Sequence, residues 1–258
     1  MEMPSYSFTQ ILKRKSGSMQ ERQIQLAGKC LRIQVWYHEN LSLFDGFEYD
    51  SAEQGLDGSP PTVRIEEEDW EYYTKLGRSR CAENERTFLT AHCSAALLRY
   101  NCAILHGVAL RWRDRSYLIC AGSGIGKSTQ ARFLQELRPG EFGIICGDRP
   151  VLEFQEKEIY VHPSPWNGKE NWHGADAAPL SGVILLERGE KNRLALLSEP
   201  ADMLPLYTYF IQTAATEESV RRVAALTTGV LKSVPVWKLT SFQVPDSTKL
   251  LLEAVFPQ

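Results

Sequence analysis

The stretch Ala121-Gly122-Ser123-Gly124-Ile125-Gly126-Lys127-Ser128 decides how this chain is read. Glycines at every second position let successive backbone N–H groups turn inward without side-chain clash. A helix opening near Lys127 would add the positive end of its dipole. The pattern is that of a phosphate-binding loop, with alanine in the first place where glycine is commoner. In such a loop Lys127 neutralises the β- and γ-phosphates, and the Ser128 hydroxyl meets a magnesium ion. Gly122, Ser123, Gly124, Ile125, Gly126, Lys127, Ser128 and Thr129 are therefore the expected nucleotide-binding residues, with ATP and Mg2+ as ligands.

The flanking sequence supplies the frame such a loop needs. Residues 116–121 read as a strand entering it, and 127–137 as a helix leaving it, stopped by Pro139-Gly140. Upstream, 103–112 reads as one strand, and Arg113-Asp114-Arg115 as a tight turn. Centring that hairpin on Asp114 pairs Trp112 with Ser116, Val108 with Cys120 and His106 with Gly122. A titratable imidazole is thus carried to the place where phosphates would sit, and a shift of one residue leaves it near. Downstream, the short apolar strand 143–146 ends in Gly147-Asp148-Arg149. A carboxylate just past such a strand is placed to hold magnesium or to orient a nucleophile. Catalytic expectations therefore fall on Asp148, His106 and Lys127, and metal expectations on Ser128 and Asp148.

Taken together, His106-Gly107-Val108, the loop through Ser128, and Asp148-Arg149 resemble the catalytic domain of HPr kinase/phosphorylase. That family is similar in fold to phosphoenolpyruvate carboxykinases, and the resemblance covers residues 100–195. Pro165-Trp166-Asn167-Gly168-Lys169 and Ala178-Pro179-Leu180 resemble a branch containing peptide-serine and free-serine kinases. The resemblance implies an α/β fold: a phosphoenolpyruvate carboxykinase-like phosphate-loop core with a mixed sheet. It implies an ATP-dependent kinase acting on a hydroxyl of a peptide, a protein or a small molecule. Relatives form oligomers, which makes a homo-oligomer an implied partner. Trp166, Lys169, Glu170 and Arg149 are the substrate-side residues of this reading. Gly147 stands where the family usually has the first of two carboxylates. That departure keeps an alternative open, a catalytically degenerate nucleotide-binding regulatory module.

The remaining chain is less distinctive. Residues 1–82 form a strand-rich N-terminal region, a candidate for binding substrate or partner, and 83–258 the catalytic domain. In the first part, 31–37 alternates as a strand, 62–65 is a short strand, and 51–61 is a Gly/Pro/Ser-rich loop. The acidic run 66–68 is read as a solvated charged face rather than a helix entry. Residues 83–100 read as an amphipathic helix, and His92 within it is assigned no role. Hairpin strands are expected at 151–154 and 159–162, further strands at 181–186 and 236–239. Helices are expected at 200–212, 217–232 and 246–255, the last capped at Pro245 or Asp246.

Composition excludes several classes. With 29 basic and 32 acidic residues, the chain lacks the basic excess of a nucleic-acid binder. Its start is not a signal peptide, and no apolar run approaches the roughly 20 residues of a membrane span. Neither membrane nor nucleic acid is expected as a partner, and the cytoplasm is the expected compartment. Six scattered cysteines without a CxxC pair suit reduced thiols.

Overall fold

The computed structural model describes residues 19–49, 59–174, 176–212 and 216–257. Most of the glycine-rich loop expected at 51–61 lies outside them. The described chain is mixed α/β, with a small sheet of three strands and a mixed sheet of nine.

The small sheet begins with a hairpin, β1 (Gln20–Leu26) against β2 (Lys29–Val35). Its two-residue turn puts Ala27 and Gly28 at positive φ, the backbone that matches strand twist. A 3-10 helix, His38–Phe44, follows, and β3 (Thr62–Val63) runs parallel to β2. Ile24, Leu26, Leu31, Ile33 and Val35 are buried at alternate positions. They share one core with Leu89, Cys93 and Leu97 of the long helix α2 (Ala82–Leu98).

The acidic run is a solvated charged face, with Glu67 and Glu68 exposed, and it also opens a helix: α1 spans Glu67–Lys75. Glu66 is its N-cap, and the Glu66 amide donates to the Asp69 carboxylate at 2.9 Å. Acidic side chains complement the free amides of a first helical turn, which is why the run starts a helix. Within α2, the fully buried Glu85 accepts from the Trp36 and Tyr37 amides and from Asn40 Nδ2, at 2.7, 3.1 and 2.8 Å. Those three donors replace the water that the carboxylate lost.

The large sheet is made of β4 (Cys102–Ile104), β5 (Val108–Trp112), β6 (Arg115–Cys120), β7 (Phe142–Cys146), β8 (Val151–Phe154), β9 (Ile159–His162), β10 (Ala178–Arg188), β11 (Arg193–Leu196) and β12 (Val236–Ser241). Its order is β4-β8-β9-β10-β6-β5-β7, with β12 also beside β10 and β11 beyond β12. Helix α3 (Lys127–Leu137) links β6 to β7. Two short helices, α4 (Pro200–Met203) and α5 (Pro205–Tyr209), precede α6 (Glu217–Ser233), and α7 (Val244–Ala254) follows β12.

Strand alternation divides the interior. Leu118, Cys120, Val183 and Leu185 face a core shared with Val223 and Val230 of α6. Ile119, Ile184 and Leu186 face the other side, with Ala131 and Leu134 of α3 and Leu251 of α7. The sheet is therefore covered by helices on both faces.

Several further expectations change. The strand expected at 103–112 is two strands, because residues 105–107 leave the ladder. The His106 amide donates to Tyr209 O at 2.7 Å and the Gly107 amide to Asp148 O at 2.7 Å. The hairpin register is one residue off: Arg111 pairs with Ser116 and Val108 with Ile119. Its turn is the two residues Arg113-Asp114, with Arg113 at φ 55°, and not three. The helix expected at 200–212 is broken at Pro205, which has no amide proton to continue it. Its end extends instead, and the Ile211 amide donates to Ile104 O at 2.8 Å. The last helix starts earlier than expected, with Gln243 as N-cap. No described helix is long and apolar enough to cross a membrane. All six cysteines are free.

Candidate active site

The site lies where β6, β7 and the 105–107 segment end together. After Cys120 the chain enters the glycine-rich loop and then α3, whose N-cap is Gly126. Gly124 has φ 76° and Gly126 has φ 121°, conformations that side chains rarely adopt. A Cβ on either would meet nothing within 4 Å, so the backbone faces open space. The first turn of α3 holds no acidic residue to compensate its dipole. Arg188, at the end of β10, braces the loop from outside. Its guanidinium donates to Gly124 O at 2.8 Å and Ile125 O at 3.4 Å.

Lys127 opens α3 and turns back under the loop, only 8% exposed. Its Nζ donates to Ala121 O at 3.0 Å and Gly122 O at 3.4 Å, and lies 3.2 Å from His106 Nε2. Burial lowers its pKa from the ordinary lysine value, and the charges of Asp148 and Glu170 partly restore it.

The same His106 nitrogen lies 3.2 Å from Asp148 Oδ1. With its proton, Nε2 donates to the carboxylate; without it, Nε2 accepts from the lysine. One ring atom thus faces both a cation and an anion. The hairpin signal foresaw this neighbourhood despite its register error. Backbone bonds fix the distances: the Gly107 amide holds Asp148 O, and a Cβ on Gly107 would sit 3.0 Å from Ile119 O.

Asp148 is largely enclosed. Burial would raise its carboxyl pKa, but the His106 hydrogen bond and the charges of Arg149, His106 and Lys127 outweigh it. The net effect is a carboxyl held below its ordinary value. Arg149 Nε lies 3.3 Å from Asp148 Oδ2, and Arg149 Nη1 donates to Thr90 of α2 at 2.9 Å. Arg149 also lines a cavity of about 480 Å³, with Tyr72, Tyr73, Phe88 and Thr90.

The segment 163–174 is stitched to the end of β7. Trp166 O accepts from the Arg149 amide at 3.1 Å, and Ser164 Oγ donates to Arg149 O at 2.6 Å. The Gly174 amide donates to Ile145 O at 3.1 Å. Trp166, expected on the substrate side, is 5% exposed and packs edge-on against Phe44 as part of the core. Its apolar surface gains more from that core than from water. Lys169 is exposed and Glu170 half-buried. Asn167 O occupies the place that a Cβ on Gly147 would take.

Sequence reading missed Thr90, Ser164, Arg188 and the 209–211 strap. Each acts through tertiary contacts across the fold, and no local pattern marks such contacts. Ser128 and Thr129, in the first turn of α3, are half-buried.

No family model matches the chain, and no curated protein matches it. Among solved structures it is similar to the Hpr(Ser) kinase/phosphatase from Coxiella burnetii, at 15% identity, covering 59% of this chain and 93% of that chain, with a TM-score of 0.34. That relationship is structural and distant.

Proposed function

We propose that this chain is an ATP-dependent kinase that transfers the γ-phosphoryl group to a hydroxyl, on a serine of a peptide or protein or on a small molecule. One observation carries the reading: His106, Lys127 and Asp148 converge within 3.2 Å contacts at the mouth of a glycine-rich loop that starts a helix.

The residues fit a nucleotide and a magnesium ion. Open glycine backbone at Gly124 and Gly126, and an α3 N-terminus free of acid, suit a phosphate chain. Among the described residues no group of three or more histidine, cysteine or acidic side chains could hold a metal. Magnesium needs no such cage, since it is usually held by one or two carboxylates together with substrate phosphates. Ser128 and Asp148 are the residues that would hold it. When bound, the ion neutralises charge on the phosphate oxygens.

The chain's own groups then divide the work. Lys127 leaves the loop carbonyls for the β- and γ-phosphates. Asp148, kept ionised, accepts the proton of the attacking hydroxyl or orients it. The new phosphorus–oxygen bond forms as the bond to the β-phosphate oxygen breaks, releasing ADP. His106 donates to Asp148 when Nε2 carries a proton and accepts from Lys127 when it does not. Most of the rate comes from positioning and charge. The cavity lined by Arg149 and Tyr72 is the side from which we expect the acceptor to approach.

The test is transfer of label from γ-labelled ATP to a panel of serine-bearing peptides, free serine and small alcohols. Acceptor-dependent labelling supports the kinase. Tight ATP binding without labelling of any acceptor supports the second reading, a nucleotide-binding regulatory module. Gly147 favours that alternative, because it leaves Asp148 without a carboxylate neighbour in sequence.

A further inference from the structure

Three parallel strands end together at one edge of the large sheet. β6 leads into the glycine-rich loop, β10 ends in Arg188, and β12 leads into Phe242. In open sheets of this kind a ligand lies outside the carboxyl ends of the strands. His106 and Asp148 stand on one side of the loop, beside β5 and after β7. β12 lies on the other side, two strand spacings from β6, or about 10 Å. With the reacting end of a nucleotide at Asp148, its nucleoside end points toward β12.

Phe242 is the first residue past β12, and it is 61% exposed. Among the described residues it stacks on no other ring. A lone exposed phenylalanine is ordinary, but the backbone of this one is pinned beside the loop. The Phe242 and Gln243 amides both donate to Asn192 Oδ1, at 2.7 and 3.1 Å. Ser241, just before, is buried and pairs across the strands with Arg188, whose guanidinium reaches Gly124 O and Ile125 O. Gln130 of α3 donates to Ser247 Oγ at 2.6 Å and Ser241 Oγ at 3.3 Å, and accepts from Thr248 Oγ1 at 2.6 Å. All four of these side chains are buried. The turn that carries Phe242 is thus locked to the helix that leaves the loop.

On the nucleotide-binding reading of the loop, we propose that Phe242 is the platform on which the base of the nucleotide stacks. Stacking uses a π-face, which every base has, so it tolerates base identity. The site therefore takes ATP and GTP alike and prefers a purine, with its larger face, to a pyrimidine.

The experiment is calorimetric titration of the full chain with ATP and with inorganic tripolyphosphate, which carries the phosphates without a base. Phe242→Ala should weaken ATP binding about 10-fold, the effect of losing one stacked base. Tripolyphosphate affinity should stay at the wild-type value. Phe242→Trp should hold ATP at least as tightly as wild type. In the wild type, UTP should bind more weakly than ATP, and Phe242→Ala should narrow that difference. Wild-type ATP affinity in Phe242→Ala, with both ligands lost in Lys127→Ala, overturns the role of Phe242 and leaves the loop reading intact. Equal losses of ATP and tripolyphosphate in Phe242→Ala also overturn it, since the turn would then merely support the loop. A large gap between ATP and GTP overturns the tolerance of base identity. Unchanged affinity for both ligands in Lys127→Ala overturns the loop reading and the platform with it. If Phe242→Ala fails to fold, Phe242→Leu, which keeps bulk without the ring, decides: ATP affinity equal to wild type then counts against the platform.

Discussion

Asp148 carries the most weight of any single residue in the proposed chemistry. Asp148→Asn preserves shape and removes charge. It should keep nucleotide affinity within a few-fold and cut phosphoryl transfer on the order of 10²–10⁴-fold, the usual contribution of a positioned base. Single-turnover kinetics with a working acceptor would check this, and transfer at the wild-type rate would remove Asp148 from the mechanism. The same residue predicts a pH effect. Its folded pKa is depressed, so its stabilising contribution is present above its unfolded pKa, near 3.8, and is lost as pH falls through the folded value. Melting curves of wild type and Asp148→Asn should therefore shift relative to each other in the variant's favour as pH drops below roughly 4. Parallel pH dependence in the two would contradict the assignment. Position 147 supplies a steric counterpart. Restoring a sequence-adjacent carboxylate by Gly147→Asp would drive its Cβ into Asn167 O. Forced packing of this kind costs about 1–3 kcal/mol. The variant should melt lower and gain no transfer; a gain would mean that the segment moves aside easily.

At the scale of elements, local chemistry explains what the sequence made readable. The bounds of α3 and of the β8–β9 hairpin follow from periodicity and from Pro139-Gly140, and the structure has those bounds. The split of β4 from β5 does not follow from any local signal. Residues 102–112 are apolar throughout most of their length, and what divides them is the strap from α5 that bonds to 104–106. The site was legible where two strand ends meet. It was illegible where long-range contacts complete it, as with Thr90 on α2 and Arg188 on β10. Arg188 gives the test at this scale. Arg188→Ala removes two bonds to loop carbonyls without touching Lys127 or Asp148. Bonds of charged donors are worth about 1.5–3 kcal/mol at most, and less when exposed. Nucleotide affinity should fall by about 3- to 10-fold, with turnover at saturating ATP nearly unchanged. An equal loss in turnover would mean that Arg188 acts on the reacting phosphate.

Across the whole molecule, the small sheet and the site share one cluster of buried residues. Trp166, from the segment beside Asp148, packs in the same core as Ile24, Leu31 and Phe44. Tyr72 of α1, 50% exposed, lines the cavity that also contains Arg149. On the proposed function, the N-terminal elements would influence the acceptor rather than the nucleotide. Tyr72→Ala should raise the KM for the acceptor several-fold and leave the KM for ATP unchanged, because no loop residue touches that cavity. Steady-state kinetics with each substrate varied in turn would decide, and a change confined to ATP would reverse the assignment of sides.

The long strand β10 has one more consequence. Its middle residues Val183, Ile184 and Leu185 pair with β6 on one side and β12 on the other, and its first residues pair with β9. No partial opening frees these amides without separating the halves of the large sheet. In deuterated solvent they should therefore exchange last, at a rate set by global unfolding, while amides of the glycine-rich loop exchange through local fluctuation. Bound nucleotide should slow exchange in the loop directly, and slow it in β10 only by the amount that it stabilises the whole chain.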